Sequence, residues 1–213
     1  MTYLQIVNKV LRRLRENEVS SINENPYSLL IGDLVNVVKR EVEDAWDWDC
    51  LRTTLTMTTT AGLFNYALTN AGTRFRVLDV LNDTSDIFMQ YKSTHWFDLQ
   101  FLTGSTQNAI PSFYNFNGVN ANGDSQIDIY PIPNGVFDIR INVILPQLDL
   151  VLDADVMLVS DRLVIEGVLA RAISERGEDG GYQEQEARYV KMEGDLIAIE
   201  ANRRTDEITW YSI

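Results

Sequence analysis

The chain contains few residues of the types that build metal, redox and disulfide sites. Its 213 residues include one cysteine, Cys50, and one histidine, His95. A single cysteine excludes an internal disulfide, and one histidine leaves too few nitrogen and sulfur ligands for most zinc sites. We therefore expect an intracellular protein without a bound metal or cofactor.

Positive charge is also scarce. Eighteen Lys and Arg residues stand against 31 Asp and Glu residues, which gives a formal net charge of −13. Proteins that bind nucleic acid through its phosphates need clustered cations. The charge balance therefore argues against a protein that holds DNA by electrostatic attraction.

Long hydrophobic runs are missing as well. Thr53–Thr73 and Leu99–Gly123 are uncharged, but they are rich in Thr, Asn, Ser and Gly, so their insertion into lipid is too costly. The first 15 residues alternate basic and apolar side chains and lack the continuous apolar run of a signal peptide. We expect no signal peptide, no transmembrane segment and no membrane partner.

Apolar residues nevertheless make up 45% of the chain, enough for a sizeable core. Their context changes along the sequence, because residues 51–150 hold only 5 basic and 8 acidic side chains while both flanks are densely charged. Such a shift is typical of amphipathic helices that flank a β-rich segment.

The flanks show the helical period and its capping residues. Asn25 and Ser160 are predicted helix caps, Pro26 suits a first turn, and Gly177 is a predicted stop. Gly180-Gly181 is expected to interrupt the chain before the last helix. The predicted helices are Thr2–Asn17, Pro26–Trp46, Asp161–Arg176 and Tyr182–Asn202.

The middle segment alternates apolar and polar residues between turn sequences. Predicted strands are Leu51–Met57, Leu63–Leu68, Phe75–Leu81, Ile87–Tyr91, Ser112–Phe116, Gln126–Pro131 and Phe137–Leu145, with one helical turn within Thr94–Leu102. The predicted fold class is α+β: an antiparallel helical bundle from both chain ends with an inserted antiparallel β-sheet or small β-sandwich. The predicted domains are residues 1–50 with 151–204, residues 51–150, and a tail of residues 205–213.

No catalytic constellation is evident. Ser93, His95 and Asp98 are too close along one segment to converge as a triad, and phosphate-binding and nucleophile-elbow motifs are missing. We therefore predict no enzymatic activity.

Two tryptophans, Trp46 and Trp48, lie among acidic residues at the end of the second helix. One interpretation is a carbohydrate-binding surface. The simpler one is that the rings anchor the helix end, while the acids are solvated or pair with a cation, including one on another chain.

Basic side chains are concentrated on the first two helices, at Arg12, Arg13, Arg15, Lys39 and Arg40. Such patches are commonly solvated helix faces. The segment from Val151 onward instead carries 14 acidic and 7 basic residues. Head-to-tail pairing of basic and acidic faces between identical subunits would build a ring.

The order of parts and three short motifs resemble a known family. The motifs are the helix end Ala45-Trp46-Asp47-Trp48, the strand start Thr53-Thr54-Leu55-Thr56, and the hairpin Tyr130-Pro131-Ile132-Pro133-Asn134-Gly135. From Tyr3 to about Arg203 the chain resembles the head-to-tail adaptor proteins of tailed bacteriophages, in particular the tail tubular protein A type of short-tailed phages.

The resemblance implies a structural virion protein, assembled in the host cytoplasm. About twelve copies would form a ring between the portal protein and the tail nozzle, with the helices around the channel and the β-rich insertion against tail proteins. Portal docking would fall to the C-terminal residues Thr209, Trp210, Tyr211 and Ile213.

In that ring, DNA passes through the channel without specific binding, because a negative wall repels a polyanion. The acids expected to face the lumen are Glu184, Glu186, Glu193 and Glu200. Two alternatives stay open: another neck or tail-completion protein, and a carbohydrate-binding β-domain that uses Trp46, Trp48 or Trp96.

Overall fold

A computed structural model describes residues 1–103, 106–177 and 179–203. The chain divides into two units, one from the described residues of Met1–Leu51 and Pro146–Ile213 and the other from Arg52–Leu145. The first unit is helical and the second contains all of the described strands of more than one residue. The predicted α+β class is confirmed.

Five α-helices lie within the described residues. They are α1 (Tyr3–Arg13), α2 (Pro26–Ala45), α3 (Thr94–Thr103), α4 (Asp161–Glu175) and α5 (Asp179–Arg203). Short 3₁₀ turns cover Ile22–Glu24 and Asp49–Leu51. All of these except α3 belong to the helical unit.

Helices α2 and α4 are each preceded by a residue whose side chain accepts a hydrogen bond from a backbone N–H group of the first turn. Asn25 accepts a hydrogen bond from the Ser28 N–H at 2.8 Å, and the Ser28 hydroxyl accepts one from the Asn25 N–H at 3.2 Å. This reciprocal capping box fixes the start of α2. Ser160 caps α4 through the Leu163 N–H, so both predicted caps are confirmed.

Two helix boundaries differ from the prediction. Helix α1 ends at Arg13, and Arg15 adopts a left-handed backbone (φ 61°) that stops it short of Asn17. Gly177 ends α4 at φ 68°, as predicted. The predicted break at Gly180-Gly181 is wrong, because α5 already begins at Asp179 and a helix tolerates glycine near its end at a modest cost.

The core of the helical unit is formed by one apolar stripe from each helix. Gly167 lies where α2, α4 and α5 meet: a Cβ atom there would be 2.7 Å from Val38 Cγ1 and 2.9 Å from Tyr189 Cε2. Glycine thus permits the close approach of three helices. Fully buried members of the stripes are Ile6, Val7, Val10, Ile31, Val35, Val38, Val42, Leu163, Val164 and Val168.

The β unit contains ten described strands in three sheets. They are β1 (Arg52–Thr58), β2 (Asn65–Ala67), β3 (Arg76–Asn82), β4 (Ile87–Phe88), β5 (Gln90–Tyr91), β6 (Asn108–Ala109), β7 (Phe113–Val119), β8 (Ser125–Tyr130), β9 (Ile132–Pro133) and β10 (Asp138–Ile144). The sheet orders are β1-β10-β3-β4, β2-β8-β7-β5 and β6-β9.

The two four-stranded sheets share one hydrophobic core, so the unit is a small sandwich. Val80, Ile139 and Ile141 come from the first sheet, and Ile127 and Ile129 from the second. Most strand pairs are antiparallel as predicted, but β5 pairs with β7 and β6 with β9 in parallel. These short parallel pairs carry too little alternation to be read from sequence.

Helix α3 is longer than the single turn predicted for Thr94–Leu102. Its length is explained by aromatic packing on the second sheet: the Trp96 ring lies 5.0 Å from Phe113 and 5.6 Å from Tyr130, measured between centroids. Phe97 is buried beside them. Tertiary packing stabilises a helix whose own sequence shows little helical periodicity.

Candidate assembly surfaces

The segment from Pro146 to Leu158 has almost no regular secondary structure, yet side chains fix its backbone. The Asn36 side chain donates to the Leu150 carbonyl at 3.0 Å and accepts from the Leu150 N–H at 2.9 Å. At the end of the segment, the Gln147 side-chain amide donates to the Val156 carbonyl and accepts a hydrogen bond from the Leu158 N–H. The segment is therefore held to α2 and closed on itself.

Asp155 organises the middle of this segment. One carboxylate oxygen accepts hydrogen bonds from the N–H groups of Leu152 and Val151, both at 2.8 Å. These bonds, that from Leu152 first, hold the pKa of Asp155 below its ordinary value. The Asp155 carbonyl accepts the N–H of Tyr3 at 2.8 Å, which ties the segment to the start of α1.

This fixed segment exposes a row of large aliphatic side chains. Between 52% and 88% of the surface of each is accessible to solvent, Leu148 being the most exposed. Single exposed apolar residues are ordinary, but here five fall within eleven positions of the chain. We call Leu148, Val151, Leu152, Val156 and Leu158 the aliphatic ridge.

The beginning of the same segment is held by a buried ion pair. Lys39 Nζ lies 2.9 Å from Glu43 Oε1, and neither side chain has any exposed surface. Lys39 also donates to the Gln147 carbonyl at 2.7 Å, and Glu43 accepts the Gln147 N–H at 3.1 Å. The prediction that Lys39 belongs to a basic surface patch is therefore wrong, because its charge is used inside the protomer.

The other predicted pairing residues lie at or near the surface. Arg13 makes two hydrogen bonds with Glu166, at 2.6 and 3.0 Å. Burial raises the pKa of the Glu166 carboxyl, but hydrogen bonds from Arg13 and Gln185 outweigh it, and the net pKa is lowered. This pair joins α1 to α4.

Three further arginines of that set differ in their surroundings. Arg12 is paired with Glu18 at 3.1 Å with both side chains exposed, and Arg40 is paired with Asp149 beside the ridge. Arg15 is exposed. Pairing of Arg12, Arg13, Arg15 and Arg40 with another subunit stays a prediction.

The four acids expected to face a lumen occupy two sides of α5. Glu184 is exposed and paired with Arg188 at 2.6 Å. Glu186, Glu193 and Glu200 follow one another at seven-residue intervals and therefore lie along one side of the helix. Glu200 is mostly covered and pairs with Arg203 at 3.0 Å. The four residues do not form one exposed stripe.

Carboxylates crowd together along that second side of α5. Burial, followed by the negative charge of Glu41 on α2, raises the pKa of Glu193, and a hydrogen bond with Tyr189 offsets part of the rise. Burial and the neighbouring Glu193 and Glu41 raise the pKa of Tyr189 to about 12. Arg171 forms an ion pair with Glu41 at this place.

A groove of about 440 Å³ runs between α4 and α5. Its apolar residues are Met192, Leu196 and Ile199, and its cations come from both helices. The residues that line this α4–α5 groove are Arg162, Glu166, Arg188, Lys191, Met192, Asp195, Leu196 and Ile199. The groove and the aliphatic ridge have no residue in common.

A family model described as SU10 adaptor protein matches residues 1–212 of the chain. The chain belongs to this family. The resemblance to phage head-to-tail adaptors is thereby confirmed, and the protein is a phage adaptor whose place is the virion neck. A search of curated proteins returned no significant match.

Trp48 and Trp96 are part of the packing of this adaptor. Trp48 is buried and donates its indole N–H to the Val42 carbonyl at 2.5 Å, which anchors the end of α2 as the simpler interpretation predicts. Trp46 is half-buried at the end of α2, and Trp96 lies against the second sheet. The buried ring of Trp48 offers no face to a sugar.

Four further features bear on the functional predictions: His95, metal clusters, membrane-spanning helices and the C-terminal docking residues. His95 is exposed beside Trp96 on α3. Across the described ranges, no cluster of His, Cys, Asp and Glu is arranged to hold a metal ion. None of the described helices is long and apolar enough to cross a membrane. Thr209, Trp210, Tyr211 and Ile213 lie outside the described residues.

The sequence interpretation missed the aliphatic ridge. Leu148 and Leu150 fell within the predicted β-rich segment, whereas the helical unit begins again at Pro146. The available signal was Pro146 itself, together with six Leu and Val residues and three aspartates in residues 146–158 that follow no strand or helix period.

Proposed function

We propose that the adaptor forms a closed ring of about twelve copies between the portal protein and the tail nozzle, through which the genome passes. The observation that carries this proposal is the aliphatic ridge. A folded monomer gains nothing from five rigidly held, exposed aliphatic side chains, whereas a subunit interface buries them.

The chemistry of two surfaces supports contacts of the head-to-tail type. The ridge segment, residues 146–158, contains three aspartates and no Lys or Arg, while Arg162, Arg188 and Lys191 line the α4–α5 groove. A ridge on one copy and a groove on the next would form a heterologous contact, which closes into a ring when the rotation between copies permits.

We also propose that α5 faces the channel. Glu184 is exposed, and Glu186, Glu193 and Glu200 place further negative charge along the helix. With a net charge of −13 per copy, the wall of a ring would repel the phosphate backbone and let DNA slide. A ring structure with a Lys- and Arg-lined channel would contradict this assignment.

Portal docking is proposed for Thr209, Trp210, Tyr211 and Ile213. The physical support is compositional: an aromatic and aliphatic end on an acidic chain favours burial against another protein. In the same scheme the β unit contacts tail proteins, and assembly takes place in the host cytoplasm before the virion is complete.

Native mass spectrometry of the purified adaptor, alone and mixed with the portal protein of the same phage, tests the proposal. We expect a complex of one portal ring with about twelve added adaptor copies. An adaptor that stays monomeric in both samples would contradict ring formation. A ring that forms without binding the portal would instead favour a different neck or tail-completion role.

A further inference from the structure

Strand β1 leaves one long edge of the sandwich open. It pairs with β10 over seven positions, from Arg52 opposite Ile144 to Thr58 opposite Asp138. In the sheet order β1-β10-β3-β4 it is the terminal strand. In the part of the chain that the structure describes, no strand lies on its other side.

The register shows which backbone groups face outward. Thr59 donates its N–H to the Phe137 carbonyl at 2.8 Å, which extends the β1–β10 register by one position. Because hydrogen-bonded pairs alternate in an antiparallel ladder, Thr53, Leu55 and Met57 bond to β10. The N–H and C=O groups of Thr54, Thr56 and Thr58 therefore point to the open edge.

The hydrogen bonds between β10 and β3 confirm which residues of β10 bond toward β1. Asp83 donates its N–H to the Asp138 carbonyl at 2.8 Å, so even-numbered residues of β10 bond toward β3 and odd-numbered ones toward β1. The hydroxyls of Thr54 and Thr58 bond to Asn142 and Asp138 within the sheet. They leave the outward backbone groups of β1 available.

Proteins usually protect such an edge with charges, proline, a bulge or a very short strand. Strand β1 carries one charge, Arg52 at its first position, and lacks the other features: Thr53–Thr73 contains no charged residue and no proline, and the β1–β10 register is continuous. A cleft of about 450 Å³ lies along the edge, between Thr54–Thr58 and the segment Tyr66–Thr69. An extended chain placed there meets an uncharged surface.

We propose that the open edge of β1 binds one extended, uncharged strand donated by another virion protein. The incoming strand forms hydrogen bonds with the backbone of Thr54, Thr56 and Thr58 and lays its side chains in the cleft beside Tyr66, an addition known as β-augmentation. This inference rests on the proposed function, since the partner is supplied by the assembled neck.

The dimensions of the sandwich exclude a second copy of the described edges as the occupant. Apart from β1, the strands that end the described sheets span only two or three residues and cannot cover a seven-residue edge; they are β2, β4, β5, β6 and β9. Pairing of β1 with β1 of another copy is a two-fold contact. Such a contact produces dimers and does not propagate around a ring.

Hydrogen exchange tests the proposal on the full chain without any substitution. We would measure the amides of Thr54, Thr56 and Thr58 in the free adaptor, in tailless heads that carry the adaptor, and in complete virions, with Leu55 and Met57 as protected references. Protection of the three threonine amides only in complete virions is expected. Protection already present without a tail, or fast exchange in all samples, overturns the proposal.

A matched pair of variants provides the second test. Thr56→Pro removes one outward N–H without touching the bonds to β10, whereas Thr56→Val keeps the N–H and removes only the hydroxyl. We expect Thr56→Pro to lower the yield of tailed particles by at least about tenfold and Thr56→Val to leave it unchanged. Unfolding temperatures of both variants verify that the sandwich is intact.

The outcomes separate this inference from the proposed function. If Thr56→Pro enters heads normally and tails attach at the wild-type level, the strand-binding site is contradicted while the adaptor role stands. If the protein is absent from purified particles altogether, the adaptor role fails, and the strand-binding inference fails with it.

Discussion

Lys39 and Glu43 form an ion pair of 2.9 Å although neither side chain has any exposed surface. The pair lies one helical turn apart on α2, and both partners bind the backbone of Gln147, where the ridge segment begins. Removing two charges from water is costly, and here each charge is offset by its partner and by one hydrogen bond with the Gln147 backbone. Its structural role is to fix the start of the segment that carries the aliphatic ridge.

Substituting Lys39 by methionine would leave the Glu43 carboxylate buried without its counter-charge. We expect Lys39→Met to lower the free energy of unfolding by about 3–5 kcal/mol, the range for breaking one partner of a buried pair. Chemical denaturation measures the change. Lys191→Met, at an exposed position of α5, is the matched control and should change it by less than about 0.5 kcal/mol. Equal effects of the two variants would contradict the role of the pair.

A side chain added at Gly167 should clash with its neighbours where α2, α4 and α5 meet. An added Cβ would overlap Val38 and Tyr189, so Gly167→Ala should destabilise the fold by about 1–3 kcal/mol through overpacking. Gly194→Ala is the control, because nothing lies within 4 Å of a Cβ built at that position of α5. There alanine should stabilise the helix by up to about 1 kcal/mol. Thermal unfolding of both variants gives opposite signs if the junction is as tight as described.

The aliphatic ridge predicts an assembly defect without a folding defect. Leu148→Asp combined with Leu152→Asp places charge on two exposed residues, so the unfolding temperature should stay within about 2 °C of wild type. Ring formation with the portal should fall at least about tenfold, since buried charge without a partner opposes association. Native mass spectrometry measures it. Leu102→Asp, equally exposed on α3, should assemble normally, and a ring-forming double variant would remove the ridge from the interface.

Deleting residues 205–213 separates ring formation from portal attachment. The helical stripes end before this segment, so the truncated chain should keep the wild-type unfolding temperature and should still bind other copies. Attachment to the portal should be weakened, as measured by co-sedimentation with portal rings. Unchanged attachment would remove Thr209, Trp210, Tyr211 and Ile213 as the docking residues.

Local patterns were sufficient to predict most of the secondary structure. Asn25 and Ser160 cap helices as expected because capping depends on a side chain and the N–H groups two or three residues away. The strand around Ile139-Arg140-Ile141 was predictable because one face is buried and alternation records that burial. The alternation of Ile127-Asp128-Ile129 also predicted a strand, although Asp128 is buried as well. Both signals lie within a few residues of sequence.

Features set by distant contacts could not be predicted in the same way. Lys39 was expected on a surface because lysine is rarely buried, and the Gln147 carbonyl that accepts its hydrogen bond lies 108 residues further along the chain. No sequence pattern indicated that the ridge leucines are exposed, because their exposure accompanies the way Asn36 and Asp155 hold the backbone. The groove between α4 and α5 likewise depends on helix packing that no local pattern records.

Because the pKa of Glu193 is raised in the folded protein, we expect the free energy of unfolding to depend on pH. Burial and the nearby Glu41 raise its pKa in the folded state, so the folded protein binds this proton more tightly than the unfolded chain does. Its ionisation therefore destabilises the fold as the pH rises from the ordinary value of 4.5 through the raised one, and the penalty is absent in more acidic solution.

The variant Glu193→Gln removes this penalty while its amide oxygen can still accept a hydrogen bond from Tyr189. At about pH 7.5 we expect it to be more stable than wild type by a few tenths of a kcal/mol, the scale of repulsion between neighbouring carboxylates on helices. At about pH 3.5 the advantage should disappear, because wild-type Glu193 is then protonated. Glu184→Gln, at an exposed residue paired with Arg188, should give no such gain at neutral pH. An advantage of Glu193→Gln that is equal at both pH values would show that packing, and not the crowding of carboxylates beside Glu41, causes it.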